Sequence, residues 1–290
     1  MGMRKNSEIV FTVLKTGVLL AIVIVTLLPF LNMISVSLSS DIYIIKNQVG
    51  LIPKGLNLKA YSMVLNDQRI LNAYFNTVVQ VLLGTSIAIL VTSAAAFALS
   101  REKMLFGKGF MLMVVFTMYF GGGMIPTYIV IKSLGMIDTI WSVILPGCVT
   151  GWNLLLLRVF FMNVPKELDE ARVVDGMGDI KAFFYLFLPL SKAALATFIL
   201  FFGVSYWNQF FGPMIYLQDQ KKMPLQVVLR SILISNDLKM NGMMHTGDSA
   251  VIIESLKNAT IIVSVIPIMI VYPFIQKYFV KGVMIGAVKG

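Results

Sequence analysis

The chain has 290 residues, 58% of them hydrophobic and 13% charged, with a mean hydropathy of +0.84. Soluble domains carry about a quarter charged residues, so this balance excludes an ordinary water-soluble domain and indicates an integral membrane protein. The net charge of +10 comes without a basic run of five or more residues, which argues against nucleic acid as a partner; in a membrane protein such an excess faces anionic lipid on the cytoplasmic edge.

A helix needs about 20 apolar residues to cross the hydrocarbon core. Six segments meet this, at 13–36, 74–99, 109–131, 139–162, 191–212 and 258–278, and together they make one all-α domain over 1–290. The first follows Arg4 and Lys5, as a signal peptide would, but Thr16 to Ser40 is free of charge. That is longer than the roughly 7–15 apolar residues of a signal sequence, so the first span is expected to be retained. The second is rich in small residues around Thr92-Ser-Ala-Ala-Ala-Phe-Ala98, which permit close helix contact in a bundle. The outer half of the third carries Gly121, Gly122, Gly123 and Pro126; these should interrupt it, as is tolerated where backbone lines a cavity or is covered by protein. Pro146, Gly147 and Gly151 mark a bend in the fourth. Thr127 and Tyr128, then Trp207 and Asn208 in the fifth, are candidate pathway residues, since an aromatic face and an amide suit a sugar. The alternative for Trp207 and Asn208 is an interfacial ring and an interhelical hydrogen bond.

Six spans place both termini on one side. The set on that side, with the loop 163–190, holds 14 of the 24 Lys and Arg residues against 10 opposite, so both termini and that loop are expected in the cytoplasm. The segments 37–73 and 213–257 then lie outside, where they dock a protein or cap the bundle.

Between the fourth and fifth spans runs Pro165-Lys-Glu-Leu-Asp-Glu170-Ala-Arg-Val-Val-Asp175-Gly176, ending after an amphipathic stretch in Leu188-Pro189-Leu190. Pro165 suits a first helical turn. Glu167, Asp169 and Glu170 face the positive end of the helix dipole. Leu168, Ala171 and Val174 or Asp175 give a narrow face able to sit in a cleft. Gly176 supplies the stop. The aromatic run from Ile180 to Leu188 is expected along the membrane surface until Pro189 breaks it. A compact acidic helix on one face of a membrane protein suits a soluble partner.

The order Glu170-Ala171, Gly176, Leu186, Leu188-Pro189 resembles the EAA loop of ATP-binding-cassette (ABC) importer permeases, with Arg172 where a second alanine is usual, Leu186 where isoleucine is common, and Asp175 as in the carbohydrate branch. Pro29 to Leu38 and Tyr206 to Tyr216 are similar to segments of maltose-type permeases. Phe120 to Tyr128, Lys132 to Gly135 and Tyr272 to Gly282 resemble the Lpl-type permeases of complex oligosaccharides. The resemblance implies a type I importer fold with six transmembrane helices and a cytoplasmic coupling helix, in the bacterial inner membrane. It implies that Glu170, Ala171, Asp175, Gly176, Leu188 and Pro189 couple to the ATPase. It further implies a homologous second permease, two ATP-binding subunits holding ATP and Mg, and an extracytoplasmic solute-binding protein that delivers a carbohydrate. The chain itself is expected to bind no cofactor or metal and to catalyse nothing.

Several absences agree with that division of labour. No acidic residue falls within the six spans, where ion-coupled carriers commonly place one, and no phosphate-binding loop motif occurs. His245 stands alone, and Cys148 lies in an apolar stretch as a packing residue. A polyol or sugar phosphate as cargo and, further off, an ATP-independent carrier are the alternatives.

Overall fold

The computed structural model describes residues 2–102, 104–242 and 254–273. Lys103, His245, residues 274–278 of the expected last span and most of the Tyr272–Gly282 segment lie outside them. The described residues are helical apart from turns and one isolated bridge between Ser39 and Leu56. They fall into two compact units, Met1–Gln68 with Leu229–Ile266, and Arg69–Val228 with Pro267–Gly290.

The first unit begins with α1, Gly2–Leu38, whose apolar side chains stand exposed along most of its length, as in a helix that meets lipid. Its C-terminal turn differs. Ser35, Val36 and Ser37 are buried, and Ser37 Oγ lies 2.8 Å from the Tyr61 hydroxyl. That tyrosine belongs to α3, Lys59–Asn66, which follows the short α2, Asp41–Ile45. Asn32 donates to the Gly50 carbonyl and Val36 packs with Ile44 and Val49, so the end of α1 pins the loop that follows it.

The second unit is organised by α4, Gln68–Ser100, 33 residues without a break. Its small residues behave as their composition predicts: Ala88, Thr92, Ser93 and Ala96 are buried at helical spacing. The three later apolar segments are all bent. α5, Gly107–Tyr119, and α6, Met124–Ser133, meet at 118° across Phe120–Gly123, with Gly123 at φ +82°. α7, Ile140–Ile144, with the 3-10 turn Leu145–Gly147, meets α8, Gly151–Met162, at 54°. α10, Asp179–Leu190, meets α11, Lys192–Asn208, at 85°. Among the described residues, three helices, α1, α4 and Glu254–Pro273, are individually long and apolar enough to cross a membrane, and up to six spans result if each bent pair counts as one. The breaks at the triglycine and at Pro146–Gly147 lie where the sequence puts them.

The break near Pro189 does not. Pro189 sits inside α10, and the chain turns two residues later, at Ser191. The preceding Phe183–Phe187 forms a π turn, and a wider turn accommodates a ring that would otherwise meet the carbonyl of the previous turn. Nor does the aromatic run present all its rings to a surface. Phe183 and Phe187 are buried with Phe97, Phe161 and Phe198, whereas Phe184 and Tyr185 are exposed.

A bent span strands carbonyls that lipid cannot satisfy, and here polar side chains from neighbouring helices meet them. Tyr206 of α11 donates its hydroxyl to the Ile144 carbonyl at 2.9 Å. Thr92 donates to Cys148 O at 3.2 Å. Gln209 donates to Val143 O and accepts from the Gln80 amide at 2.9 Å. Tyr206 reaches its carbonyl because Gly84 leaves room for the ring: a Cβ there would stand 2.8 Å from Tyr206 Cε2. Gly84→Val is therefore expected to destabilise the protein by about 1–3 kcal/mol through overpacking, read as a lower unfolding midpoint in detergent. Gly84→Val combined with Tyr206→Ala should recover part of the packing loss.

Candidate functional site

The acidic segment folds as α9, Lys166–Val174. Pro165 takes the N-cap position at ψ 132°, one residue before the first-turn place its sequence suggests. The C-terminus closes with a left-handed residue: Gly176 has φ +67°, its N–H donates to Val173 O at 3.1 Å, and Met177 N–H donates to Arg172 O at 2.9 Å. This pair of bonds is a Schellman motif, which glycine adopts without a Cβ penalty.

The acidic residues of this stretch, Glu167, Asp169, Glu170, Asp175 and Asp179, do not act alike. Asp169 turns inward, where its Oδ1 accepts from Arg101 Nη2 and Arg172 Nε, each at 2.7 Å. Arg172 also bonds Asp179 Oδ1 at 2.8 Å and the Met177 carbonyl at 3.0 Å. Its side chain is only 8% exposed. Arg101, just past α4, lies over the rings of Phe97 and Phe187 at 5.1 and 5.2 Å, within cation–π range. Two guanidinium groups and two carboxylates thus offset each other. Charge-assisted bonds of this kind are worth about 1.5–3 kcal/mol each when sheltered, and less on the Asp179 side, which is open to solvent. Burial works against ionisation of Asp169, but the hydrogen bonds and charges of Arg101 and Arg172 outweigh it and hold its carboxyl below the ordinary range. Burial likewise opposes the Arg172 charge, and Asp169 and Asp179 overcome it and raise its pKa. An exposed bridge from Lys166 Nζ to Glu102 Oε1, 2.8 Å, spans the same gap, and its bond raises the Lys166 pKa.

Glu167, Glu170, Ala171, Val173, Val174 and Asp175 face outward, Val174 at 87% exposure. Of the expected coupling residues, Glu170, Ala171, Asp175 and Gly176 therefore share α9 and its cap. Leu188 and Pro189 sit at the far end of α10, Leu188 packed on the aromatic core and Pro189 exposed. Arg172, where the family pattern has a second alanine, points inside. Its spacing from Asp169 and Asp179 was the available signal.

The candidate pathway residues form two separate sets. On α6, Thr127 donates its hydroxyl to Gly123 O at 2.8 Å, and Tyr128 is half-buried, stacked near Tyr216 at 6.3 Å between centroids. At the end of α11, Trp207 is buried and edge-on to Tyr74, with an indole N–H that has no hydrogen-bond partner among the described residues. Asn208 beside it is exposed. Trp207 thus presents a buried unsatisfied donor rather than an open ring face.

One organising residue escaped the sequence reading. Asp138, at φ +59°, accepts on Oδ1 from the backbone N–H groups of Gln218 and Asp219 at 2.9 and 3.0 Å and pairs with Lys222. Its own N–H donates to Tyr216 O. It joins the turn after α6 to the chain after Phe211–Tyr216, here α12. The Asp219 N–H, the Lys222 ammonium and the Gln218 N–H lower its pKa from 3.8 to about 2. Because the folded value lies below the unfolded one, its contribution is complete above about pH 4 and fades as pH falls toward 2. Asp138→Asn should unfold more readily than the parent at neutral pH, and the gap in unfolding midpoint should close across that window.

No family model matches the chain, but individual relatives do. It is 39% identical over 281 residues to the polygalacturonan/rhamnogalacturonan transport system permease protein YtcP of Bacillus subtilis, covering 97% of this chain and 98% of that protein. It is 40% identical over 269 residues to Protein LplC of the same organism, covering 92% and 90%. A crystal structure of a bacterial ABC transporter that imports the acidic polysaccharide alginate contains a chain that superposes with a TM-score of 0.84 at 29% identity, covering 94% of this chain and 98% of that one. Permeases of this kind bind no cofactor, catalyse nothing and leave ATP hydrolysis to a partner. With identity at this level along nearly its whole length, the chain belongs to the permease subunits of maltose-type, binding-protein-dependent carbohydrate ABC importers.

Proposed function

We propose that this permease imports an oligosaccharide and that α9 is the surface engaged by its ATPase. The carrying observation is the two-sidedness of α9. Its inward face is neutralised by Arg101 and Arg172, while Glu167, Glu170, Ala171, Val173 and Val174 remain uncovered on a rigidly capped helix. An exposed apolar strip edged with carboxylates is what a cleft with basic rims accepts. The excess of Lys and Arg on the α9 side favours a cytoplasmic position for it and for both termini. Two ATP-binding subunits and a homologous second permease complete the assembly, and an extracytoplasmic binding protein loads it. ATP and the loaded binding protein each favour a different state of the bundle, which is what alternating access requires.

The oligosaccharide reading draws on the cargoes named for YtcP and for the alginate importer. A polyol or sugar phosphate is the second reading. Trp207 supports a polar cargo, since its buried N–H lacks an acceptor and a hydroxyl or carboxylate would supply one.

In the purified complex reconstituted with its binding protein, oligosaccharides, both neutral and uronate-bearing, should stimulate ATP hydrolysis. Glu170→Lys and Gly176→Asp should each cut that stimulation at least tenfold with assembly intact; full stimulation in both removes α9 from the coupling role. If polyols or sugar phosphates stimulate and oligosaccharides do not, the second reading takes over. Trp207→Phe, which deletes the N–H, should lower sugar uptake several-fold at unchanged assembly, and wild-type uptake would make Trp207 a packing residue only.

A further inference from the structure

We propose that Arg101 and Arg172 are positioning residues of the coupling step, fastening α9 to the end of α4 so that a displacement of α9 is delivered to α4. The inference rests on α9 being the ATPase contact. Its grounds lie in how α9 is attached. Along the chain, α9 connects to two bent spans, α7–α8 on one side and α10–α11, angled at 85°, on the other. A displacement passed along the chain must therefore cross a bend on either side. Across space, α9 is tied to an unbroken helix: Asp169 Oδ1 accepts from Arg101 at 2.7 Å, and Lys166 meets Glu102 at 2.8 Å, both partners directly following Ser100.

Each arginine has a distinct part. Arg101 lies over Phe97 of α4 and Phe187 of α10, two rings that pack on each other at 4.8 Å, so a pull on its guanidinium from Asp169 is delivered to the end of α4. Arg172 locks α9 into one piece with its own cap, holding Asp169, the Met177 carbonyl and Asp179 together. An alanine at 172 would leave Asp169 with one guanidinium and the cap with none. A lysine would restore the charge without the fork that serves three acceptors. At its other end α4 carries Tyr74, against Trp207, and Gln80, bonded to Gln209. The continuous helix thus leads from the charge cluster to the residues proposed for the cargo pathway, each link a named contact.

The test uses the complete complex in proteoliposomes with its binding protein, reading sugar taken up per ATP hydrolysed alongside assembly and unfolding midpoint. Arg101→Gln and Arg172→Ala are expected to assemble and to hydrolyse ATP but to lower uptake per ATP at least fivefold, with Arg172→Lys intermediate. Asp179→Ala should add less than twofold to the loss in Arg172→Ala, because both act through one contact. Uptake per ATP within 1.5-fold of the parent in assembled Arg101→Gln and Arg172→Ala overturns the proposal. Should Arg101→Gln fail to assemble, Asp169→Asn, which keeps the side-chain size, is read by the same criterion. Glu170→Lys in parallel separates the two ideas: lost stimulation with normal uptake per ATP in the arginine variants leaves α9 as the contact and removes the fastening. Normal stimulation in Glu170→Lys removes the contact itself, and with it the basis for the fastening.

Discussion

A helix that bends inside an apolar solvent exposes carbonyl groups to surroundings that cannot hydrogen-bond them, and the unit formed around α4 is arranged to meet that requirement. Around the bend after α7, the carbonyls of Val143, Ile144 and Cys148 accept from Gln209 just past α11, Tyr206 of α11 and Thr92 of α4. Those donors in turn fix how the helices pack. Tyr206 needs a notch, which Gly84 provides, and Gln209 needs orientation, which Gln80 provides. The polar side chains Thr92 and Gln80 of an otherwise apolar α4 thus bond to its bent neighbours.

The same rule, applied to charge, shapes the acidic segment. A buried guanidinium is costly unless its donors are met, and Arg172 meets them with Asp169, Asp179 and a backbone carbonyl. Asp169 is thereby taken up on the inner side, with Asp179 paired at the solvent-open end of the same cluster, which leaves α9 a neutralised inner face and an acidic, partly apolar outer one. Arginine in place of the family's second alanine is thus compatible with the outer surface, because the side chain points the other way. The residues left outside are the ones a carbohydrate importer offers to its energy-supplying partner, in the reading proposed above.

The turn after α6 illustrates a third use of polar groups. Asp138 gathers two backbone N–H groups and a lysine from a segment 80 or more positions away, holding the turn after α6 against the chain after α12. Close by in the fold of this unit, Tyr128 stacks near Tyr216. Trp207 stands apart from this lashing, buried yet with its N–H unmet; with the Thr85 hydroxyl it departs from the general satisfaction of buried polar groups in the described residues.

How much of this was legible beforehand depends on the range over which each cause acts. Apolar runs long enough to span a bilayer, the interruption at Gly121–Gly123, the bend at Pro146–Gly147 and the left-handed stop at Gly176 follow from properties of a few adjacent residues, and the sequence alone determined them. The family pattern at Glu170, Ala171, Asp175 and Gly176 was likewise local. Pro189 misled because a π turn formed by its neighbours absorbs the ring and moves the break to Ser191. What only the tertiary structure decided are pairings between distant residues: Arg101 with Asp169, 68 positions apart, Tyr206 with Ile144, 62 apart, and Leu225 N–H with Thr77, 148 apart. A hydrogen bond requires its partner within about 3 Å in the right direction, and no local pattern specifies which of many polar groups packing will bring there.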